Sequence, residues 1–445
     1  MTSGYTVLAL MVVYIILCTA ILYFCVIADP NKNDTAFFVT VTLPQKIWDK
    51  MGQLLGQKNL NVLASAMDLA LVMVYFAVVL GCWVVVFTYI YPWITESSYV
   101  SNFHKFSGYA VFLACFSSWR LTNKSSPGII SEKTFSRYSH YPYDNLLFVP
   151  DRRCDSTNLV KIARSKFDRL KYNQNVPRYD HFCGWVHNTI GEENYRFFLL
   201  FLTVHVGMCA YGSAVTILLF RGEIISKELF HLTFFDRATG ETFKADWFII
   251  MQYLFTRRMA ECCVLAVMSV MGIALSCFLG YHVYLTTYNL TTNEASKWQD
   301  VRDWYKKEKK RYDDAVDKGL VPSSAASATE TADGNDSSLN VNDKDVTCTP
   351  GVGDSSTNNS PSGGQVAKRS APRYRDPGPI PKNLYDRGFI ENWKEVIFPI
   401  SLRKETLNRV AAAASSSGIT YQPQKEATSK SPPVKRTRGR KPKVT

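Results

Sequence analysis

The chain has 445 residues, 47% of them hydrophobic, and a formal net charge of +13. Its mean hydropathy is close to zero, but this averages two unlike halves: long apolar runs fill residues 1–290, and residues 296–445 are polar. Repeated apolar runs of membrane-spanning length exclude a soluble domain and make nucleic acid a poor account of the charge; basic segments beside anionic lipid account for it.

Residues 5–28 form the first run. A hydrocarbon core about 30 Å thick needs roughly 20 apolar residues in a helix, and this stretch meets that. No basic segment precedes it and it exceeds the apolar part of a secretory signal, so it reads as an uncleaved anchor. Further runs follow at 66–92, 103–121, 196–220 and 259–285. The run at 103–121 is the weakest, flanked by His104, Lys105 and Arg120. The fold class expected is an all-α polytopic membrane protein with about five transmembrane helices. Lys and Arg crowd residues 120–178 and the C-terminal tail, whereas 221–258 mixes bases with acids. The positive-inside rule then puts the loop between spans three and four and the tail in the cytosol, and 221–258 in the lumen.

The organisation predicted in chain order is an anchor and cytosolic loop (1–60), spans two and three (61–121), and a cytosolic segment (122–195). Spans four and five follow around loop 221–258 (196–285), then a juxtamembrane helical segment (286–321), its charged helix over 296–317. The Ser-, Thr-, Asn- and Gly-rich stretch 322–377 buries too little apolar surface to order, and reads as a disordered linker. Order returns at 378–402, where Phe389, Trp393 and Val396 lie on one face of a short helix. A flexible basic tail (403–445) ends the chain. Eight cysteines, Cys18, Cys25, Cys82, Cys115, Cys209, Cys262, Cys263 and Cys277, lie in or near apolar runs and read as small hydrophobes. Cys154, Cys183 and Cys348 lie in polar segments. No pair has Cys-x-x-Cys spacing, and a disulfide framework is not expected. His205 and Glu261 are the main polar exceptions inside the spans, too few to favour a transporter or channel.

The chemistry concentrates at Asp180, His181 and Cys183, just before the fourth span. A free thiol is mostly protonated at neutral pH; an imidazole can take its proton, and a carboxylate can hold that imidazole in the productive tautomer. One tight turn could bring His181 to Cys183 with Asp180 behind it. Read from these residues alone, a metal knuckle or an ordinary polar loop is the plainer account of the trio.

The surroundings go further. Asp180, His181, Cys183, Trp185, Val186, Asn188, Ile190, Gly191, Asn194, Tyr195 and Phe198 match the signature of the DHHC family of protein S-acyltransferases. "TTNE" at 291–294 resembles that family's Thr-Thr-x-Glu motif, "NLYDRGFIENWKEV" at 383–396 its C-terminal motif, and "SSPG" at 125–128 its Asp-Pro-Gly. "YPYDNLLFVPDRRC" and "ARSK" resemble the endoplasmic reticulum subgroup with an extra N-terminal span. The resemblance implies Cys183 as nucleophile, His181 as base, Asp180 as its orienter, and Thr291, Thr292, Glu294, Asn188, Asn194 and Asn392 in support. It implies palmitoyl-CoA or a similar acyl-CoA as donor and membrane-associated client proteins with cytosolic cysteines as acceptors. Arg164, Lys166, Arg169, Lys171 and Arg178 are candidates to meet the CoA phosphates.

The family's cysteine-rich segment normally binds two zinc ions. Here Thr157, Phe167, Asp168, Phe182 and Thr189 stand where ligands are expected, and only Cys154 remains. Zinc needs about four N or S ligands, so none is expected, and acyl-CoA enters as substrate with no cofactor. Phe167, Leu170, Tyr172, Val176, Tyr179 and Phe182 could form a small apolar core in its place, with Asp168 linked to Arg169 or Lys171. The alternative to an active enzyme is a DHHC-like adaptor that binds acyl-CoA or clients without transfer. Lys441 and Lys443 match a dilysine retrieval pattern, so residence is expected in the endoplasmic reticulum, with the Golgi as alternative.

Overall fold

The computed structural model describes residues 42–235, 240–321 and 374–416, together with Ile16. The expected first span at 5–28, the linker up to residue 373, and residues 417–445 with Lys441 and Lys443 lie outside the described residues. The chain divides into two compact units, Met1–Ala295 with Leu384–Thr445, and Ser296–Asn383.

Helix α1 (Leu43–Val85) breaks at Gly56, whose φ of 75° and ψ of 153° interrupt the helical path. It continues through a π-helical turn, Val86–Ile90, into α2 (Tyr91–Glu96). Pro92 has no N–H to offer the carbonyl four residues back, and its ring crowds that carbonyl, so the helix widens there by one residue. Next are α3 (Phe103–Lys124) and the single turn α4 (Phe135–Tyr138). Two antiparallel hairpins occupy the segment before the next span: β1 (Lys166–Asp168) with β2 (Gln174–Val176), and β3 (His181–Cys183) with β4 (Asn188–Ile190). The long helix α5 (Tyr195–Ser226) leads to a third hairpin, β5 (Thr233–Phe235) with β6 (Thr242–Lys244), and to α6 (Trp247–Arg257). Then come α7 (Met259–Thr287), α8 (Thr292–Asp317), α9 (Phe389–Ile397) and α10 (Lys404–Ser416).

Among the described residues three helical stretches are long and apolar enough to cross a membrane: Leu69–Glu96, Tyr195–Ser226 and Met259–Thr287. The first is the second half of α1 continued to the end of α2; the others are α5 and α7. The protein is thus a polytopic, mostly helical membrane protein. The expected third span coincides with α3, 22 residues long, which is more polar than these three. Helix α5 packs on both α3 and α7. At Gly212 a Cβ would come within 2.5 Å of the Met268 sulfur, so the small residue sets how closely α5 and α7 approach.

The apolar core has two main parts. One gathers Trp83, Ile90, Trp93, Ile94, Leu219, Ile250 and Leu254. The other joins Val186, Ile190, Tyr195, Phe198 and Leu202 to Val396 of the C-terminal segment. That segment departs from expectation twice. Helix α9 buries Asn392, Glu395 and Val396 and leaves Phe389 exposed, because Asn392 and Glu395 find polar partners inside. Residues Lys404–Ser416 are helical, where flexible chain was expected from 403; an Ala-rich run with Glu405 in its first turn favours helix. In the second unit, Lys309 bridges to Asp376 at 3.2 Å.

Candidate active site

Strand β3 places the reactive pair. Successive side chains of a strand point to opposite faces, so residues two apart share one. His181 and Cys183 therefore project to the same side and Phe182 to the other. The register with β4 sets His181 opposite Ile190, Phe182 opposite Thr189 and Cys183 opposite Asn188. The tight turn expected at this place is replaced by extended chain, which brings base and thiol together without one.

Asp180 is buried and its Oδ2 accepts from His181 Nδ1 at 2.5 Å. That fixes the proton on Nδ1 and leaves Nε2 for the thiol. The carboxylate also accepts the Thr292 N–H at 2.7 Å on Oδ1 and the Thr292 hydroxyl at 3.0 Å on Oδ2. Thr292 is the first residue of α8, so Asp180 sits against a helix N-terminus, whose unpaired N–H groups favour a negative charge. Burial by itself would raise the Asp180 carboxyl; the hydrogen bond and positive charge of His181 and the Thr292 N–H hold it below the usual range. Burial would also lower the His181 imidazole, but the Asp180 hydrogen bond and the neighbouring Cys183 thiol together raise it to about 10.

The start of α8 is itself fixed by reciprocal capping. The Glu294 N–H donates to Thr291 Oγ1 at 3.2 Å, and the Thr291 N–H donates to Glu294 Oε2 at 3.0 Å, the two-way arrangement of a capping box. Arg164 holds the same carboxylate through Nε and Nη2, both at 2.7 Å. It also donates to Asn289 Oδ1 and to the Asn289 carbonyl, and lies over the Tyr385 ring. Asn188 donates to the carbonyls of Thr122 and Ser125 and accepts from the Tyr172 hydroxyl. Asn194 accepts the Gly191 N–H and donates to the Thr189 carbonyl. Gly191 is required here: a Cβ would lie 2.9 Å from the Pro127 carbonyl and 3.0 Å from that of Pro177. Asn392 donates to the Thr287 carbonyl at 2.8 Å. The expected supporting residues thus divide. Thr292 touches the Asp180 carboxylate, Thr291 and Glu294 set Thr292, and the three asparagines tie loops to span ends.

Cys183 opens onto a cavity of about 340 Å³ lined by Val74, Tyr75, Val78 and Cys82 of α1, Phe198, Leu202 and His205 of α5, and Met271, Leu275 and Phe278 of α7. Its walls are apolar, and Trp185 stands at its rim, half exposed. The polar exception foreseen in this span is self-satisfied: His205 Nδ1 donates to the Phe201 carbonyl at 2.8 Å, leaving Nε2 to accept from the Tyr75 hydroxyl at 2.9 Å. A residue missed in the sequence is His282. Its ring lies 5.8 Å from that of His181, and its Nδ1 is 2.9 Å from the Tyr195 hydroxyl; a lone histidine in an apolar run was the only signal.

The zinc ions implied by the resemblance do not fit these residues. Asp168 is buried and accepts the N–H groups of Leu170 and Tyr172 and, at 2.9 Å, the Thr189 hydroxyl. Asn175 donates to Thr157 at 2.9 Å, and both lie beside the Cys154 thiol. Phe182 turns its ring edge to His187. Two of the vanished ligand positions, Asp168 and Thr189, now bond to each other, and among the described residues no group of three or more His, Cys, Asp or Glu could hold a metal ion. The expected apolar substitute is also incomplete: Val176 and Tyr179 are buried but Leu170 is exposed. Asp168 caps backbone N–H groups and forms no ion pair with Arg169 or Lys171.

Of the five basic residues expected at the CoA phosphates, Arg164 and Arg178 are buried, facing Glu294, Asn289 and Glu395. Neither presents its guanidinium to a soluble phosphate. Lys166 and Arg169 are exposed. Lys171 donates to the His187 carbonyl at 2.7 Å, against the turn that follows Cys183. Burial and the nearby Lys124 lower its ammonium to about 8. Trp119 and Asn123, at the end of α3, donate to the carbonyls of Trp185 and Val186 in the same turn.

Residues 148–299 match the sequence model of the family described as DHHC palmitoyltransferase. The chain is similar to palmitoyltransferase SWF1 of Yarrowia lipolytica, 29% identical over 214 residues, covering 48% of this chain and 53% of that protein. It is similar to palmitoyltransferase ZDHHC4 of Mus musculus, 32% identical over 187 residues, covering 42% and 51%. With palmitoyltransferase swf1 of Schizosaccharomyces pombe it shares 30% identity over 188 residues, covering 42% and 48%. The chain spans about half the length of the curated relatives it matches. A buried carboxylate stands just before a hairpin that carries an imidazole and a thiol at the mouth of an apolar cavity, and the matched segment holds all three: over residues 148–299 the chain is similar to the DHHC palmitoyltransferase family.

Proposed function

We propose that this protein is a protein S-palmitoyltransferase working through an acyl-enzyme on Cys183. The observation that carries the reading is the shared face of His181 and Cys183, backed by Asp180, at the mouth of a cavity between spans. The thiol gives its proton to His181 Nε2, and the thiolate attacks the carbonyl carbon of a long-chain acyl-CoA thioester. The tetrahedral adduct collapses, the bond to the CoA sulfur breaks, and the imidazolium returns the proton to that sulfur. Neutral His181 then takes the proton of a client cysteine, whose thiolate attacks the Cys183 thioester; the acyl group moves to the client and Cys183 regains its proton. Asp180 keeps Nδ1 protonated throughout and stabilises the imidazolium.

The cavity suits the acyl tail, since each methylene removed from water contributes about 0.8 kcal/mol. Lys171, against the turn after Cys183, and the nearby Lys124 replace Arg164 and Arg178 as candidates for the CoA phosphates; Lys124 helps lower the charge affinity of Lys171, which an anion relieves. The basic residues of 120–178 support a cytosolic site, so clients carry cysteines at the cytosolic membrane face. Residence in the endoplasmic reticulum goes with the subgroup likeness of residues 141–166. The reaction runs without zinc, the Asp168 and Asn175 hydrogen bonds standing in for metal links.

The test is acyl-enzyme formation. Purified protein given labelled palmitoyl-CoA is expected to carry hydroxylamine-sensitive label that Cys183→Ala abolishes and that a zinc chelator leaves unchanged. Equal label on both proteins, or none on a folded wild type, would turn the reading to a non-catalytic adaptor. Loss with the chelator, restored by zinc, would overturn the metal-free part alone.

A further inference from the structure

The outward face of α9, outside the spans, carries several exposed large apolar residues. Phe389 and Ile390 are 62% and 75% exposed, and Ile397 and Phe398 are 43% and 62% exposed. On the side turned inward Asn392 and Glu395 are buried, with Val396 buried between them and Phe389. At 100° per residue, Phe389, Ile390 and Ile397 fall within one arc, and Trp393 in the same arc packs against the core. Lys394 and Glu391 border it, paired at 3.4 Å.

The position of this helix is fixed at both ends. Asn392 Nδ2 donates to the Thr287 carbonyl at 2.8 Å, and Trp393 Nε1 reaches Thr287 Oγ1 at 3.4 Å. Arg196 donates to the Ile397 carbonyl at 3.1 Å. Thr287 is the last residue of one span and Arg196 the second residue of another. Helix α9 is thus held at the level where two spans meet the same membrane surface. Tyr284 and Tyr288, at that end of α7, are also exposed, and tyrosine is enriched at membrane–water interfaces.

We propose that α9 is a membrane-surface helix whose exposed Phe389, Ile390 and Ile397, with Phe398 just past its end, bed into the interfacial layer of the bilayer. Such helices place their apolar face about 5–10 Å into the headgroup and acyl boundary. Lys394 lies where its ammonium can reach back to the lipid phosphates. The insertion bears on the active site, given the function proposed above: α9 holds Thr287, five residues before Thr292, whose N–H and hydroxyl hold Asp180. Lipid contact at α9 then steadies the end of α7 and the start of α8 together.

The test uses the full chain in nanodiscs of phosphatidylcholine and phosphatidylserine. Photoreactive benzoylphenylalanine replaces Ile390, Phe398 or, as control, Glu391. Illumination followed by mass spectrometry reads lipid adducts, so the result does not depend on whether Cys183 acylates. The expected result is adduct at 390 and 398 on the order of tenfold above that at 391, as depth in the interface demands. Adduct no greater than at 391 would overturn the proposal, and so would cross-links to a second chain at 390 and 398, which would give this face to protein. Both sites lie on exposed side chains, and either one read against the control decides the matter.

Discussion

His181 and Cys183 face each other because a strand repeats every two residues, and Phe182 between them is turned away by the same geometry. The charge state follows from neighbours. Asp180 is held low and His181 is raised to about 10. A histidine raised on folding adds stability in full below its ordinary value near 6.5, and that contribution is lost as pH rises through about 10. A carboxylate held low adds stability above its ordinary value near 3.9 and loses it as pH falls through its folded value. The difference in melting temperature between wild type and His181→Gln is therefore expected to be widest between roughly pH 4 and 6.5, and to close as pH nears about 10. Thermal denaturation across that range checks it; a difference independent of pH would mean that the imidazole carries no extra charge in the fold.

At the scale of elements, the hairpins β1–β2 and β3–β4 are too short to stand alone. Asp168 joins them: it ends β1, caps the turn after it, and accepts the Thr189 hydroxyl from β4. Asp168→Ala leaves two backbone N–H groups and a hydroxyl without an acceptor, and each costs about 1–3 kcal/mol when buried. A destabilisation of about 1–3 kcal/mol is expected, read as a lower denaturation midpoint, with acyl-enzyme formation reduced in parallel. A variant as stable as wild type would show that the two hairpins are held by other contacts.

At the scale of the whole molecule, Arg164 joins parts far apart in sequence. Its guanidinium meets Glu294 at the start of α8 and Glu395 in α9, at 2.7 and 3.5 Å. Glu395 also accepts from the Tyr141 hydroxyl, and burial is offset by Arg164 and Arg178, which hold its carboxyl low. Removing one partner of a buried ion pair costs about 3–5 kcal/mol. Arg164→Leu is therefore expected to release the segment from Tyr385 to Thr406 and to loosen Thr292 from Asp180. Limited proteolysis should cut that segment faster, and acylation should fall with it. Unchanged proteolysis would show that Asn289, Asn392 and the apolar contact of Val396 suffice.

The sequence by itself determined what depends on residue identity and local spacing. Runs of some twenty apolar residues fit a membrane-spanning helix, and Asp180, His181 and Cys183 put an acid, a base and a thiol within four residues of one another. It also set Phe182 and Thr189, which offer zinc no N or S ligand, where the family resemblance leads one to expect ligands. Only the tertiary structure decided what long-range packing controls. Arg164 and Arg178 are like any other basic residues in a loop until Glu294, Asn289 and Glu395 close around them, so their assignment to phosphate failed. The outward turn of Phe389 depended on Asn392 and Glu395 finding partners inside, which no periodicity of apolar residues can register. Nor does the sequence reveal that Asp168 bonds to Thr189, because a hydrogen bond between residues on different hairpins exists only once both hairpins are in place.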